Sequence, residues 1–158
     1  MDEDGELARI GVELAEAVER VVPAWVRDAV VGLVTAHRGS VPADVVADAE
    51  EAGRRAAAEV GAGLRALLAL DIDEQRRNPL DVVRAAVPHP TAVLRRAGVP
   101  PVVRDEFEAR HFPDDDYDLV PRSFSDVHPA LQEIGIVWGA AKAHVHLRRH
   151  RPSADSDR

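Results

Sequence analysis

Along most of the chain apolar residues recur at intervals of three and four, the spacing that gathers them on one face of an α-helix. From Glu6 to Val22 this stripe is Leu7, Ile10, Leu14, Ala17, Val18 and Val21. Pro23 has no N–H to give and its ring crowds the preceding turn, so it predicts the end of that helix. A second helix, from Pro23 or Ala24 to about His37, carries Val26, Ala29, Val30, Leu33 and Val34 on one side, with Gly39 placed for a left-handed C-terminal cap. A third, from about Pro42 to Leu70, has a narrow stripe of mostly small residues: Val45, Ala49, Ala52, Ala56, Val60, Gly63, Leu64 and Leu67. Small side chains let backbones approach closely, so this long Ala-rich helix predicts tight antiparallel packing or a coiled-coil partner. Gly53, Gly61 and Gly63 each cost a helix interior about 1 kcal/mol relative to Ala, which leaves it weakest near Gly61.

The texture changes after Asp71. Eight of the eleven prolines fall between Asp71 and Pro129, so helices there must be short. Asn78-Pro79 is a start signal, Asn as cap and Pro at the first position, leading into Leu80, Val82, Val83 and Val87. Pro88-His89-Pro90-Thr91 opens another short helix that Gly98 closes, and Val102 to His111 reads as a third with Val103 and Phe107 inward. From Phe112 to Pro129 prolines and the acids Asp114, Asp115, Asp116 and Asp118 predict irregular backbone. Tyr117, Leu119, Val120, Phe124 and Val127 make it too apolar for a free linker, so an ordered strap is expected. The last helix, Ala130 to Arg149, has two apolar faces: Ile134, Val137, Trp138, Ala141 and Val145, and nearly opposite them Ile136, Ala140, Ala143 and Leu147. Such a helix reads as buried on two sides. Gly135 and Gly139 mark a strip, shared with Lys142 and His146, where a neighbouring backbone is expected to come close.

The fold expectation is therefore all-α: a three-helix N-terminal half, residues 1–70, packed with a Pro-rich half, 71–151, of short helices, acidic strap and buried C-terminal helix. Residues 152–158, small and polar, read as a disordered tail. At 158 residues one core is the economical arrangement. Apolar residues are 46% of the chain but aromatics only 4%, so the core must be filled by Ala, Val and Leu.

Charge and chemistry narrow the function classes. A net charge of -8 disfavours general binding to DNA, whose phosphates need a basic face. With no cysteine there is no disulfide, thiolate metal site or cysteine nucleophile, in keeping with a cytoplasmic protein. The acidic start Met1-Asp2-Glu3-Asp4 does not read as a signal peptide, and no apolar run reaches the roughly 18 residues of a membrane span. No serine lies in a nucleophile elbow, and the glycines form neither a dinucleotide fingerprint nor a P-loop; no cofactor is implied.

Asp114, Asp116 and Asp118 alternate like the first ligands of a calcium loop, but Leu119 and Ser125 stand where Gly and a bidentate Glu are required, which favours a solvated acidic turn. His146 and His150, four apart on a helix, are placed to share a metal. No acid lies between them, and Arg148, Arg149 and Arg151 repel a cation, so a basic helix end that complements the helix dipole is the stronger reading. That basic segment is a candidate for an acidic partner or an RNA backbone, or for pairing within the fold with Asp114 to Asp118. Trp25 is a candidate interface anchor, or half buried in its own domain.

The segments NPLDVVRAAVPHPTAVLRRAGVPP, RHFPDDDYDLVP and IGIVWGAAKAHVHLRRHR resemble a group of helical proteins of high-G+C actinobacteria, over roughly the second half of the chain. That resemblance implies a cytoplasmic bacterial origin and carries no activity, ligand or site residue. The functional expectation is a non-catalytic interaction or regulatory module, possible partners including a second copy, meeting its partner through the Ala-rich helix or the basic end: Trp25, Arg148, Arg149 and Arg151. The alternative is an enzyme or small-ligand binder with a site between the two halves, built from His89, His111, Asp114, Asp116 and His146. A third reading is RNA or ribosome association through the three arginines.

Overall fold

The computed structural model describes residues 2–151. Among them every regular element is a helix: α1 (Glu3–Arg38), α2 (Ala43–Ala69), α3 (Pro79–Arg84), α4 (Pro88–Arg96), α5 (Glu106–His111), α6 (Phe124–Val127) and α7 (Ala130–Arg149). The all-α expectation holds. The tail 152–158 lies outside the described residues.

Pro23 does not end a helix. The first two predicted helices are one, the 36 residues of α1, roughly 54 Å long. A proline inside a helix costs about 3 kcal/mol or more. What offsets that cost is the stripe running through it: Val18, Val22, Val26, Val30 and Val34 are all wholly buried. Each such valine contributes about 1.5 kcal/mol or more by leaving water, so a helix unbroken across Pro23 is the lower-energy arrangement. The N-terminal half is thus a two-helix hairpin. Asp2 caps α1 by accepting from the Gly5 N–H at 3.0 Å. Gly39, at φ 82°, ends it as expected, its N–H donating to the Thr35 carbonyl at 2.7 Å.

The small residues of α2 serve this hairpin. A Cβ on Gly53 would lie 2.8 Å from the Pro23 carbonyl oxygen, and one on Gly11 would touch Leu68 at 3.4 Å. Positions falling along one helix as they rise along the other make α1 and α2 antiparallel, with Glu19 beside Gly61 between those two contacts. Arg65 reaches back from α2 to pair with Glu19. No break occurs at Gly61, because α2 is buried along its whole length on Val45, Ala49, Ala56, Val60 and Leu64.

The second half wraps this hairpin. Asn78 caps α3, accepting from the Leu80 N–H at 2.9 Å, and α3 lies on α2 with Val82 against Gly63. Helix α4 packs on both α1 and α2 and is closed by Gly98 at φ 76°. One buried cluster takes residues from both halves, from Leu7 in α1 to Val145 in α7. The strap is ordered, as expected, but it is not irregular throughout: the capping box of Ser123 and Asp126 opens the one-turn helix α6 within it. Tyr117 is buried and donates to the Val99 carbonyl at 2.7 Å, and Asp115, only 4% exposed, accepts from the N–H groups of Leu119 and Val120 at 2.7 and 2.9 Å. Asp118, at φ 55°, sits in the left-handed region that aspartate tolerates better than most residues.

Three further expectations are corrected. Helix α7 is buried on one side only: Leu131, Trp138 and Val145 face α1, while Ile136 and Leu147 are 63% and 70% exposed and Ala140 and Ala143 lie between them in solvent. Gly135 meets the Phe124 ring rather than a backbone, and nothing approaches Gly139. In the third short segment helix begins only at Glu106, where Asp105 caps it, and Val103 and Phe107 point outward. Periodicity alone cannot tell a face that meets the core from one that meets solvent. Among the described residues no helix is long and apolar enough to cross a membrane.

Candidate functional site

Helices α3 and α4, the end of α5 and the strap line an open cleft of about 500 Å³. Its floor is apolar, made by Val87, Pro88, Ala92, Phe112 and Val120. Thr91 and Arg95, four apart on α4, share the face that lines it, because helix periodicity puts them one turn apart on the same side. The Thr91 hydroxyl is spent on the Val87 carbonyl at 2.8 Å.

Arginines build the walls rather than offering free charge. Arg84 donates to the Pro121 carbonyl at 2.9 Å, pairs with Asp81 at 2.6 Å and lies over the Phe112 ring at 5.3 Å. Arg104 donates to the Phe112 carbonyl at 2.6 Å, fixing the strap from the other side. Arg95 binds Asp116 at 2.7 Å, and that carboxylate, with Asp114 further off, raises the arginine above its usual value. Asp115 lines the cleft but is consumed by its two backbone donors.

Two side chains on the rim are differently placed. His111 ends α5 with Nδ1 2.8 Å from the Phe107 carbonyl. A carbonyl only accepts, so Nδ1 is the donor of this contact, and in the neutral form of the ring Nε2 is left as an acceptor. Asp114 makes no hydrogen bond or ion pair among the described residues. The cleft lining therefore combines a carboxylate and an imidazole with apolar side chains.

Of the five ligand candidates read from the sequence, the cleft brings together His111 and Asp114. It lies within the second half, not between the halves. Asp116 stands behind it, bound to Arg95, and His89 faces α2, 2.5 Å from Glu59. His146 is at the far end of α7. The signals missed were Arg84 and the Thr91–Arg95 pair; the four-residue spacing of that pair was visible in the sequence, but the wall opposite it was not.

The basic end of α7 is paired, though not with the strap. Helix α7 runs antiparallel to α1, so its last turn meets the acidic first turn of α1 and the link after α2. Arg148 pairs with Glu3 at 2.6 Å, and His144 approaches the same carboxylate at 3.2 Å. Those bonds, Arg148 first, hold the Glu3 carboxyl below its ordinary range. Arg149 grips both oxygens of Asp71 at 2.7 and 2.8 Å and reaches Asp4 at 3.2 Å. Hydrogen bonding to Arg149 lowers Asp71 and raises the arginine. Asp73 comes beside His146 and His150; this trio is the one group of possible metal ligands among the described residues. Of the partner candidates, Arg148 and Arg149 are thus engaged within the fold and Arg151 is exposed. Trp25 is half buried in mid-helix, beside the strap at Leu119 to Arg122 and beside Val127.

No family model, no curated protein and no solved structure matches the chain.

Proposed function

We propose that this protein is a small-ligand-binding helical module whose site is the cleft between α4 and the strap. The observation that carries the reading is that one cleft is lined both by His111 and by an Asp114 carboxylate without an ion-pair partner among the described residues, together with the apolar Val87, Pro88, Ala92 and Phe112. Such a surface suits a molecule with a flat apolar body and a protonated amine: the body displaces water from the floor, and the amine donates to the carboxylate and the neutral imidazole. A carboxylate or phosphate ligand is disfavoured, because Arg84 and Arg95 are already bound to Asp81 and Asp116. No catalytic step is part of the proposal. Residence in the cytoplasm belongs to it, supported by the lack of cysteine.

The test is ligand-observed and protein-observed NMR on the full chain with matched arylalkyl amines, protonated at neutral pH, and arylalkyl carboxylic acids. Amines are expected to shift the amides of Thr91, Ala92, Phe112 and Asp114, with at least tenfold weaker binding in Asp114→Asn. Equal binding of the acids, or shifts elsewhere, overturns the reading.

A second reading rests on α7. Ile136, Ala140, Ala143 and Leu147 form an exposed apolar stripe with large residues at its ends and small ones, Gly139 included, at its middle. Placed antiparallel about a two-fold axis, Ile136 of one copy meets Leu147 of the other, and Glu133 comes toward the basic end of its mate. The occupant of this face is then a second copy of the chain. Sedimentation velocity decides it: a dimer that Leu147→Glu splits supports the reading, and a monomer at high micromolar concentration removes it.

A further inference from the structure

Asp73, His146 and His150 stand together at a corner where the end of α7 meets the link after α2. The two histidines, four residues apart, share one face of the last turn, their ring centroids 4.5 Å apart. His150 Nε2 is 3.0 Å from Asp73 Oδ1, and His146 Nδ1 is 3.9 Å from the same oxygen. One ligand atom from each residue lies within 4.8 Å of the other two.

We infer that these three side chains form a binding site for a divalent transition metal of the zinc type, with one coordination position left open to water. In a tetrahedral site with bonds of about 2.0 to 2.1 Å, neighbouring ligand atoms are about 3.3 Å apart. The separations of 3.0 and 3.9 Å bracket that figure, and the three exposed side chains need only small rotations to close on one ion. Two imidazole nitrogens and one carboxylate oxygen match zinc, cobalt, nickel and copper. Calcium and magnesium, which take oxygen ligands, do not fit that set.

Three arginines close by in sequence argue against a cation there, and tertiary structure answers for two of them. Arg149 is held by Asp71 and Asp4, and Arg148 by Glu3. Arg149 also lies 3.6 Å from Asp73 Oδ2, which leaves Oδ1 turned to the histidines. It so acts as an outer partner that orients a ligating carboxylate. The acid that the helix lacks between its histidines comes from 73 positions back along the chain. Bound metal would tie α7 to the α2–α3 link, where Lys142 already donates to the Gln75 carbonyl at 3.4 Å.

The experiment is titration of the metal-free full chain with Zn²⁺, Ni²⁺ and Mg²⁺ by calorimetry, with the Co²⁺ absorption spectrum as a report on coordination. Saturable one-to-one Zn²⁺ binding is expected, weakened at least tenfold in His146→Ala, His150→Ala and Asp73→Asn, with no comparable response to Mg²⁺. His144→Ala, which touches Glu3 instead, is expected to bind zinc as the parent does. All four positions are on the surface, and a circular dichroism spectrum of each variant verifies its fold. Absence of saturable binding up to millimolar zinc, or binding that survives the His146→Ala/His150→Ala double change, overturns the inference. Neither outcome touches the cleft, whose residues lie elsewhere.

Discussion

Replacing Gly53 by alanine and replacing Gly32 by alanine should have opposite signs. Both are helix-interior glycines, and each substitution gains about 1 kcal/mol of helix propensity. At Gly32 nothing lies within 4 Å of the added methyl, so the gain stands alone. At Gly53 the methyl would sit 2.8 Å from the carbonyl oxygen and 3.0 Å from the Cα of Pro23. Those are backbone atoms of a packed helix, not the yielding end of a side chain, so α1 and α2 must part by several tenths of an ångström. Overpacking of this kind costs about 1 to 3 kcal/mol, and the separation also loosens contact along the valine stripe. The net expectation is a loss of about 1 to 2 kcal/mol for Gly53→Ala against a gain of up to about 1 kcal/mol for Gly32→Ala. In a chain of this size each kcal/mol moves the melting temperature by about 2 to 4 °C. Urea unfolding followed by far-UV circular dichroism, with m-values compared, measures both. A Gly53→Ala protein as stable as Gly32→Ala would refute the close crossing of α2 over Pro23.

Leu64→Ala removes a wholly buried side chain from the centre of α2 and should cost about 2 to 5 kcal/mol in the same assay. Asp115→Ala strips the acceptor from the Leu119 and Val120 N–H groups and should cost about 2 to 3 kcal/mol, whereas Asp115→Asn, which keeps one oxygen, should cost less; equal losses would show that the carboxylate charge and not its geometry matters. Acid should destabilise the fold through Glu19 and Glu3, both held below the ordinary carboxylate range, by hydrogen bonding to Arg65 and to Arg148 with His144 respectively. Because their folded values are depressed, their contribution is complete above the ordinary glutamate value of about 4.3 and is lost as pH falls through the lower folded values. Urea midpoints measured from pH 7 down to 2 should stay level and then drop, and Glu19→Gln should make the drop shallower; an unchanged profile refutes the role of that pair.

By itself the sequence determined the helical class, most of the helix ends and the ordered strap. Spacing at three and four, an Asn-Pro start and glycines after the last apolar turn are local signals, and local geometry acts on them wherever the chain goes: Gly39, Asn78 and Gly98 stand where they were expected. What tertiary structure decided is everything that depends on a partner distant in sequence. Pro23 should stop a helix, and does not, because the stripe on α1 has α2 to bury it. Reading a break there hid the true length of α1, and so hid that the link at Asp71 and Asp73 returns beside the acidic start of the chain. The basic end of α7 consequently found acids other than those of the strap. The second apolar face of α7 had the same periodicity as the first, yet only one met the core. His111 and Asp114 share a cleft, and His146 and His150 share an acid, because helices cross, and a crossing is fixed by packing between faces rather than by order along either one.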